Sequence, residues 1–433
     1  MNDDLHYISA TEALARFRDR SLSPVELLDA VIARAEAVEP TVNALCHERY
    51  DAAREEARAA EARYAGRGDG EPRALEGIPL AIKEEEAVAG QPWTQGSLIY
   101  KDLVAERSSA FAQRMLDAGA IVHARTTAPE FSCALFTHSR LHGVTRNPWN
   151  PEFGVGGSSG GAGAALAAGT TTLASGSDIG GSIRAPASFN GVVGFKPPYG
   201  RVPQAPPFNL DTYCHCGPLA RTVADTALYE NVLAGPDPTD IVSLRPKYEL
   251  PETFEGIAGM RLAVSVDMDG SWPVDPEIRR NTLDAAAALR EAGARVEEAA
   301  PPGGGHELTL EIWRSYGDDM DAAALYGLLR RWDAYRGDWA AFDRRYDLVL
   351  SPVFPGPARP HGGMHVPGEI EPTSYTTPHS LTGRPAATVR CGTSPEGLPI
   401  AVQVAAAPWR DDVALAAALR LEQELGGWRA PEA

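Results

Sequence analysis

The sequence Gly-Gly-Ser-Ser-Gly-Gly-Ala-Gly at residues 156–163 has little side-chain bulk and two hydroxyl groups. Glycine permits backbone conformations and close backbone approaches that other residues do not. Three kinds of site use such a segment: a phosphate-binding loop, the turn that carries the nucleophile of a serine hydrolase, or the supporting half of another active site. The neighbouring residues distinguish among these alternatives.

A phosphate-binding loop does not fit this segment. The Walker motif requires a lysine directly after its last glycine, and no lysine follows here. The dinucleotide-binding pattern, aligned from Gly154, requires glycine at the position of Ser159. Nucleotide binding is therefore not expected.

The segment also matches the sequence motif of a nucleophile turn, because residues 156–160 read Gly-x-Ser-x-Gly with Ser158 at the centre. That motif follows a β-strand, whereas residues 147–153 include Pro148 and Pro151, which a central strand does not tolerate. The motif also needs a histidine, and none of the ten histidines stands in an informative context. An α/β-hydrolase esterase that uses Ser158 as nucleophile stays an alternative.

A second glycine-rich segment, at residues 175–186, reads Ser-Gly-Ser-Asp-Ile-Gly-Gly-Ser-Ile-Arg-Ala-Pro. Ser182 directly follows Gly180 and Gly181, whose N–H groups can point at a developing oxyanion without a Cβ in the way. The arrangement suits the nucleophile of an acyl transfer. A tight Gly-Gly turn with a capping serine is the structural alternative.

A base is supplied upstream by Lys83, which ends an apolar strand predicted at residues 78–82. Burial of an ammonium group is costly, so such a position favours the neutral amine, which can act as a general base. The alternative is a lysine whose side chain reaches solvent. These three segments have complementary chemical roles.

Together, the three segments resemble the amidase signature enzymes. The family pattern is Gly-Gly-Ser-Ser-Gly-Gly followed by Gly-x-Asp-x-Gly-Gly-Ser, with a lysine upstream in Gly-x-Pro-x-x-x-Lys, and all three occur here in order. The resemblance implies that Ser182 forms an acyl-enzyme, that Ser158 bridges to the base across a cis peptide, and that Lys83 is that base. Further segments that look like family landmarks are residues 147–150, 194–197, 200–203, 217–223 and 381–386.

The resemblance also implies which groups surround the nucleophile. The oxyanion hole would consist of the N–H groups of Ile179, Gly180, Gly181 and Ser182. Side chains expected to pair or hydrogen-bond and so hold the loop geometry are Ser159, Asp178 and Arg184. Candidates for an apolar acyl pocket, each of which could instead be an ordinary core residue, are Phe131, Phe136, Trp313 and Tyr316.

Three features depart from the family pattern. Glu84 follows the lysine where relatives usually carry aspartate, Ser380 replaces a common asparagine, and residues 241–346 form a shorter region than in many relatives. None removes a catalytic group. The variable region and residues 131–137 are expected to line the substrate pocket, so these departures concern the substrate.

Alternating helix and strand patterns predict an α/β fold with a central mixed, mostly parallel twisted sheet covered by helices on both faces. Helix starts are predicted at Ser9 and Ser23, each with glutamate three residues later. We expect one domain over residues 1–433. Its parts are N-terminal helices at about 7–65, a signature core at about 76–235, the variable region at 241–346, and a C-terminal sheet and helix at 347–427.

Composition excludes several function classes. The formal net charge of −18 would repel nucleic acid. The first residues lack a signal-peptide pattern, no apolar run is long enough to span a membrane, and five cysteines show no disulfide-scaffold spacing, so a cytoplasmic protein is expected. Residues 214–216 read Cys-His-Cys, a spacing unlike that of zinc sites. No metal, cofactor or membrane contact is expected, and a homodimer is possible.

The sequence therefore predicts an amidase that hydrolyses small-molecule amides. The resemblance leaves a second possibility, the catalytic subunit of a tRNA-dependent amidotransferase, which passes ammonia to partner proteins. The esterase that uses Ser158 and a non-catalytic binding protein are further alternatives.

Overall fold

A single eleven-stranded sheet organises the part of the chain described by the computed structural model, which comprises residues 4–205, 211–268, 270, 273–315, 320–360 and 373–431. A separate two-stranded hairpin, His138–Ser139 with Gly143–Val144, lies outside this sheet. The strands are β1 Leu45–Cys46, β2 Pro79–Lys83, β3 Ile121–Thr126, β4 His138–Ser139, β5 Gly143–Val144, β6 Leu173–Asp178, β7 Val193–Lys196, β8 His215–Ala220, β9 Arg261–Val264, β10 Arg295–Glu298, β11 Leu348–Pro352, β12 Ala386–Thr393 and β13 Pro399–Ala406.

The strand order is β1-β3-β2-β6-β8-β7-β12-β13-β11-β9-β10. The predicted mixed α/β sheet is confirmed. Its described pairings comprise four parallel ones, grouped at β3-β2-β6 and β11-β9-β10, and six antiparallel ones. Parallel pairs are therefore not the majority that the sequence predicted, because β7, β8, β12 and β13 join the two parallel groups through antiparallel neighbours.

Helices pack against both faces of this sheet. Their bounds are α1 Ala10–Asp19, α2 Pro24–Val42, α3 Tyr50–Tyr64, α4 Ala110–Asp117, α5 Gly160–Ala168, α6 Arg184–Asn190, α7 Val223–Leu233, α8 Pro276–Glu291, α9 Gly305–Ser315, α10 Ala322–Asp343, α11 Thr377–Leu381 and α12 Asp411–Glu424. The two predicted starts are correct: Ser23 and Glu26 form a complete capping box, whereas Ser9 accepts a hydrogen bond from the Glu12 N–H. The sequence did not predict helices α6, α9, α10 and α11.

Alternate side chains along a strand pack against helices on opposite faces of the sheet. In β2, Leu80 and Ile82 pack with α1, α2 and α4, while Ala81 packs on the opposite face with α5. Because alternate side chains share a face, Lys83 lies on the α5 side with Ala81. In β13, Val402 and Val404 likewise belong to the core with α8 and α12, and Ala401 to the core with α6.

The sheet takes strands from the predicted signature core, from the variable region and from the C-terminal part. This continuity supports the single-domain organisation, which stays a prediction. Among the residues that the structure describes, no helix combines the length and the apolarity that crossing a bilayer requires.

Candidate active site

The predicted site residues meet at one edge of the parallel strands β2 and β6. Lys83 is the last residue of β2 and Asp178 the last of β6. Ser158 lies in the loop before α5, and Ser182 lies in the loop before α6. Ligands of α/β sheets bind outside the carboxyl ends of such strands. The sheet therefore brings together three segments that are widely separated in sequence.

Lys83 is fully buried and does not reach solvent. Its Nζ donates hydrogen bonds to Ser158 Oγ at 2.7 Å and to Ser177 Oγ at 2.9 Å. The peptide bond between Gly157 and Ser158 is cis, as the resemblance implied. The amine and the first serine are thus within proton-transfer distance of each other.

The two serine loops are joined directly. The Ser159 N–H donates to the Ser182 carbonyl at 3.2 Å. Ser159 Oγ also lies 3.4 Å from both the carbonyl and the N–H of Ser177. Ser182 is 8% exposed and Ser158 is 1% exposed, so Ser182 is the more accessible of the two hydroxyl-bearing residues.

Asp178 and Arg184 form a buried, bidentate ion pair. Arg184 Nη2 lies 2.8 Å from Asp178 Oδ1, and Arg184 Nε lies 2.9 Å from Oδ2. Burial alone would raise the pKa of the Asp178 carboxyl, but the adjacent guanidinium outweighs it and lowers that pKa to about 2. Arg184 also donates to the Thr376 carbonyl at 2.8 Å and to Gln403 Oε1 at 3.0 Å. The pair links the loop of Ser182 to the C-terminal part of the sheet.

The Asp178 carboxylate also accepts a hydrogen bond from the Gly181 N–H at 2.9 Å. Gly181 was predicted to direct this N–H at an oxyanion, so the structure differs from that expectation. The other N–H groups predicted to form the oxyanion hole are those of Ile179, Gly180 and Ser182. Behind them, Thr376 Oγ1 donates to the Gly180 carbonyl at 2.5 Å and holds the loop in place.

Comparison with known proteins identifies the family of this chain. The family model described as Amidase matches residues 26–315 and 307–415. The chain belongs to the amidase family. It is 35% identical to an acylamidase of Rhodococcus erythropolis, over 97% of this chain and 96% of that protein. It is 31% identical to the A-type subunit of a glutamyl-tRNA(Gln) amidotransferase of Chloroflexus aurantiacus, over 98% of both chains.

Structural comparison places a bacterial aryl acylamidase of the amidase signature family among its neighbours. That structure superposes with a TM-score of 0.88 at 28% sequence identity, covering 97% of this chain and 96% of the other. The amidase fold predicted from sequence is therefore confirmed.

The glycines of this amidase allow its loops to approach closely. A Cβ on Gly157 would lie 2.5 Å from the Phe136 nitrogen, and a Cβ on Gly161 would lie 2.5 Å from the Thr127 nitrogen. Both distances are shorter than any real carbon contact, so only glycine fits at these two positions. The serine loop is therefore held between the segment of residues 131–137 and the end of β3.

The aromatic candidates have different positions in the amidase. Trp313 is half-buried, and a Cβ on Gly180 would lie 3.2 Å from its ring, which places that ring beside the nucleophile loop. Phe136 is half-buried and stacks on His138, while Phe131 is 39% exposed. Tyr316 lies outside the described residues. Trp313 and Phe136 are thus the candidates whose segments touch the serine loops.

The histidine and cysteines at residues 214–216 are buried next to the site. His215 Nδ1 lies 3.3 Å from the Asp178 carbonyl, and burial lowers the pKa of this imidazole well below its ordinary value. Ser158 is preceded by a loop and follows the two-residue strand β5, not a central strand. Because the nucleophile turn of an α/β-hydrolase follows a central strand, this position of Ser158 disfavours the esterase alternative.

Sequence reasoning missed Glu85 and Ser177. Glu85 Oε1 lies 3.1 Å from Lys83 Nζ, so the surroundings of the amine include a carboxylate. The apolar run before Lys83 gave no sign of this, because the residues after the strand turn back toward the amine. The motif Gly-Ser-Asp that precedes Ile179 was the only available signal for Ser177.

Glu85→Gln is expected to lower kcat/KM for amide hydrolysis, because the carboxylate 3.1 Å from Lys83 Nζ helps to hold the amine in place. Small displacements of a reacting group cost catalysis, and we expect a decrease of roughly 10- to 100-fold. The exposed Glu106 provides a control: Glu106→Gln removes the same charge and should leave kcat/KM unchanged. Equal kcat/KM values for all three proteins would contradict the expectation.

Proposed function

We propose that this amidase hydrolyses carboxylic amides through an acyl-enzyme on Ser182, with Ser158 as proton relay and Lys83 as base. The observation that carries the proposal is the 2.7 Å hydrogen bond between Lys83 Nζ and Ser158 Oγ. The hydrogen bond from the Ser159 N–H to the Ser182 carbonyl holds Ser182 next to the loop of Ser158, which supports Ser182 as the nucleophile.

In the proposed reaction, Ser182 Oγ attacks the amide carbonyl carbon while its proton passes to Ser158, whose own proton passes to Lys83. The oxygen of the tetrahedral intermediate accepts hydrogen bonds from the backbone N–H groups of Ile179, Gly180 and Ser182. The C–N bond then breaks, and the proton returns through Ser158 to the leaving amine. Water attacks the ester by the same relay, which releases the carboxylic acid and restores Ser182.

The proposed substrate is a small linear amide with an apolar acyl or aryl group. The Trp313 ring beside Gly180 provides apolar surface next to the nucleophile loop. The similarity to an acylamidase and to an aryl acylamidase supports this class of substrate. A cytoplasmic location, which the five free thiols support, and a homodimer stay predictions.

The second candidate function is glutamine hydrolysis for an amidotransferase. It is favoured by the similarity to the A-type subunit of that enzyme over 98% of both chains. Such a protein delivers ammonia to its partners. Hydrolysis of an aryl amide by the purified chain alone would favour the amidase; release of ammonia from glutamine only with partner proteins present would favour the amidotransferase.

A fluorophosphonate, which phosphonylates activated serines, tests the nucleophile. Peptide mapping of the labelled protein is expected to locate the added mass on Ser182, and Lys83→Ala is expected to abolish labelling. Ser265 is 7% exposed, almost as much as Ser182, and follows β9 in the other half of the sheet. Ser265→Ala is therefore a matched control that should label like the wild type. A label on Ser158 would contradict the proposal and favour the esterase alternative.

A further inference from the structure

A group of four side chains with metal-ligating atoms lies next to the active site and has no role in the proposed reaction. Cys46, His47, Glu84 and His142 each offer one ligand atom, and these four atoms all lie within 4.8 Å of one another. No sequence pattern pointed to this group, because its members come from three separate segments and share no recognisable spacing.

The topology explains why these segments meet. Strand β3 pairs on one side with β1, where Cys46 lies opposite Arg125, and on the other side with β2, which Glu84 follows. His142 lies in the turn between β4 and β5. The Asn43 side chain, which precedes β1, donates to the His142 carbonyl at 2.8 Å and holds this turn against the sheet.

Hydrogen bonds within the group leave ligand atoms unused. Glu84 is fully buried, and its Oε2 lies 2.9 Å from His142 Nε2 and 2.5 Å from Thr94 Oγ1. Within the described part of the chain, Glu84 Oε1 and His47 Nε2 are buried and have no hydrogen-bond partner. Leaving buried polar atoms unpaired is costly. A glutamate–histidine pair alone therefore does not account for the arrangement.

The types of ligand indicate which ion fits. Cysteine, histidine and carboxylate side chains are the usual ligands of tetrahedral Zn²⁺, whereas Mg²⁺ and Ca²⁺ prefer oxygen ligands. Metal–ligand distances of about 2.0–2.3 Å place tetrahedral ligands roughly 3.3–3.8 Å apart. Glu84 Oε2 lies 3.9 Å from His47 Nε2 and 2.9 Å from His142 Nε2, on either side of that range, so small side-chain shifts bring these atoms to ligand spacing. One thiolate and one carboxylate would also balance the charge of the ion, which a buried site requires.

We propose that Cys46, His47, Glu84 and His142 bind one Zn²⁺ ion. With four protein ligands the site has no open coordination position, so it is a structural site. The ion ties the β4–β5 hairpin to the ends of β1 and β2. Glu84 directly follows Lys83, and the backbone of Phe136, just before the hairpin, packs on Gly157. The ion thereby stabilises two segments that border the active site.

The test uses the full chain, stripped of metal with a chelator and titrated with Co²⁺, whose absorption spectrum reports thiolate ligation. We expect one Co²⁺ per chain, a thiolate-to-metal charge-transfer band, and displacement by one equivalent of Zn²⁺. Cys46→Ser is expected to lose the band. The exposed Cys133 provides the matched control, because Cys133→Ser removes a thiol outside the group and should keep the band.

A second variant keeps the test decisive if replacement of the buried Cys46 disturbs folding. The His142 side chain is 12% exposed, and His142→Gln is expected to weaken Zn²⁺ binding at least about tenfold. A charge-transfer band that persists in Cys46→Ser, or the lack of stoichiometric Co²⁺ binding by the wild type, would overturn the proposal. Ser182→Ala should bind the metal as the wild type does, so the result is independent of amide hydrolysis.

Discussion

Replacing Ser182 with alanine is expected to lower kcat/KM for amide hydrolysis by at least about 10⁴-fold. In the proposed mechanism no acyl-enzyme forms without Ser182, and only binding and oxyanion stabilisation are left to accelerate the reaction. Initial rates on an aryl amide, measured at matched protein concentration, provide the test. Ser265→Ala is the control, since it removes an equally buried hydroxyl in the other half of the sheet.

Double variants examine whether the three residues act as one unit. Groups that act together in a catalytic relay show strongly non-additive losses. The kcat/KM of the double variant Ser182→Ala, Lys83→Ala should therefore lie within about threefold of that of Ser182→Ala alone. Activity of Ser182→Ala within tenfold of the wild type, in a protein with an unchanged circular dichroism spectrum, would rule out Ser182 as nucleophile.

Asp178→Asn is expected to lower the free energy of unfolding by about 3–5 kcal/mol, because it leaves the buried Arg184 guanidinium without its counter-charge. Both side chains are fully buried, so solvent cannot take over the role of the carboxylate. Urea denaturation followed by tryptophan fluorescence provides the measurement. The variant should also lose activity, because the same carboxylate holds the Gly181 N–H.

Asp412→Asn is the matched control for this stability prediction. It removes a carboxylate 3.0 Å from Arg410, in a pair whose side chains are 56% and 32% exposed. Exposed ion pairs contribute at most about 1 kcal/mol. Equal destabilisation by the two variants would contradict the assigned role of the buried pair.

The pH dependence of this contribution follows from the direction of the pKa shift. Asp178 has a folded-state pKa of about 2, below its ordinary value of 3.8. A group with a lowered folded-state pKa stabilises the protein above its unfolded pKa, and the contribution is lost as pH falls through the folded pKa. The difference in stability between wild type and Asp178→Asn should therefore be constant from neutral pH to about pH 4, and should shrink only toward pH 2.

Much of the candidate site could be predicted because its signals are local. The glycine and serine motifs occupy short continuous segments, and their resemblance to a family pattern identified Lys83, Ser158 and Ser182 before any contact was known. The apolar run at residues 78–82 placed Lys83 at the end of a buried strand, and the structure brings its amine to 2.7 Å from Ser158 Oγ. Asp178 and Arg184 were expected to pair or hydrogen-bond beside the nucleophile, and in the structure they pair with each other.

The long-range contacts were decided by the tertiary structure alone. Packing between distant segments determines the strand order, the approach of Glu85 to the Lys83 amine and the position of Trp313 beside Gly180.

By itself, the amino-acid sequence determined the family, the alternation of helices and strands, and the three polar groups of the proposed relay, since each depends on residues that are neighbours in the chain or on a repeated period. Only the folded chain decided which groups surround that relay and which four ligand atoms meet beside it. The reason is that β3 pairs with both β1 and β2, so Cys46 and Glu84 become neighbours through a strand register that no local pattern encodes.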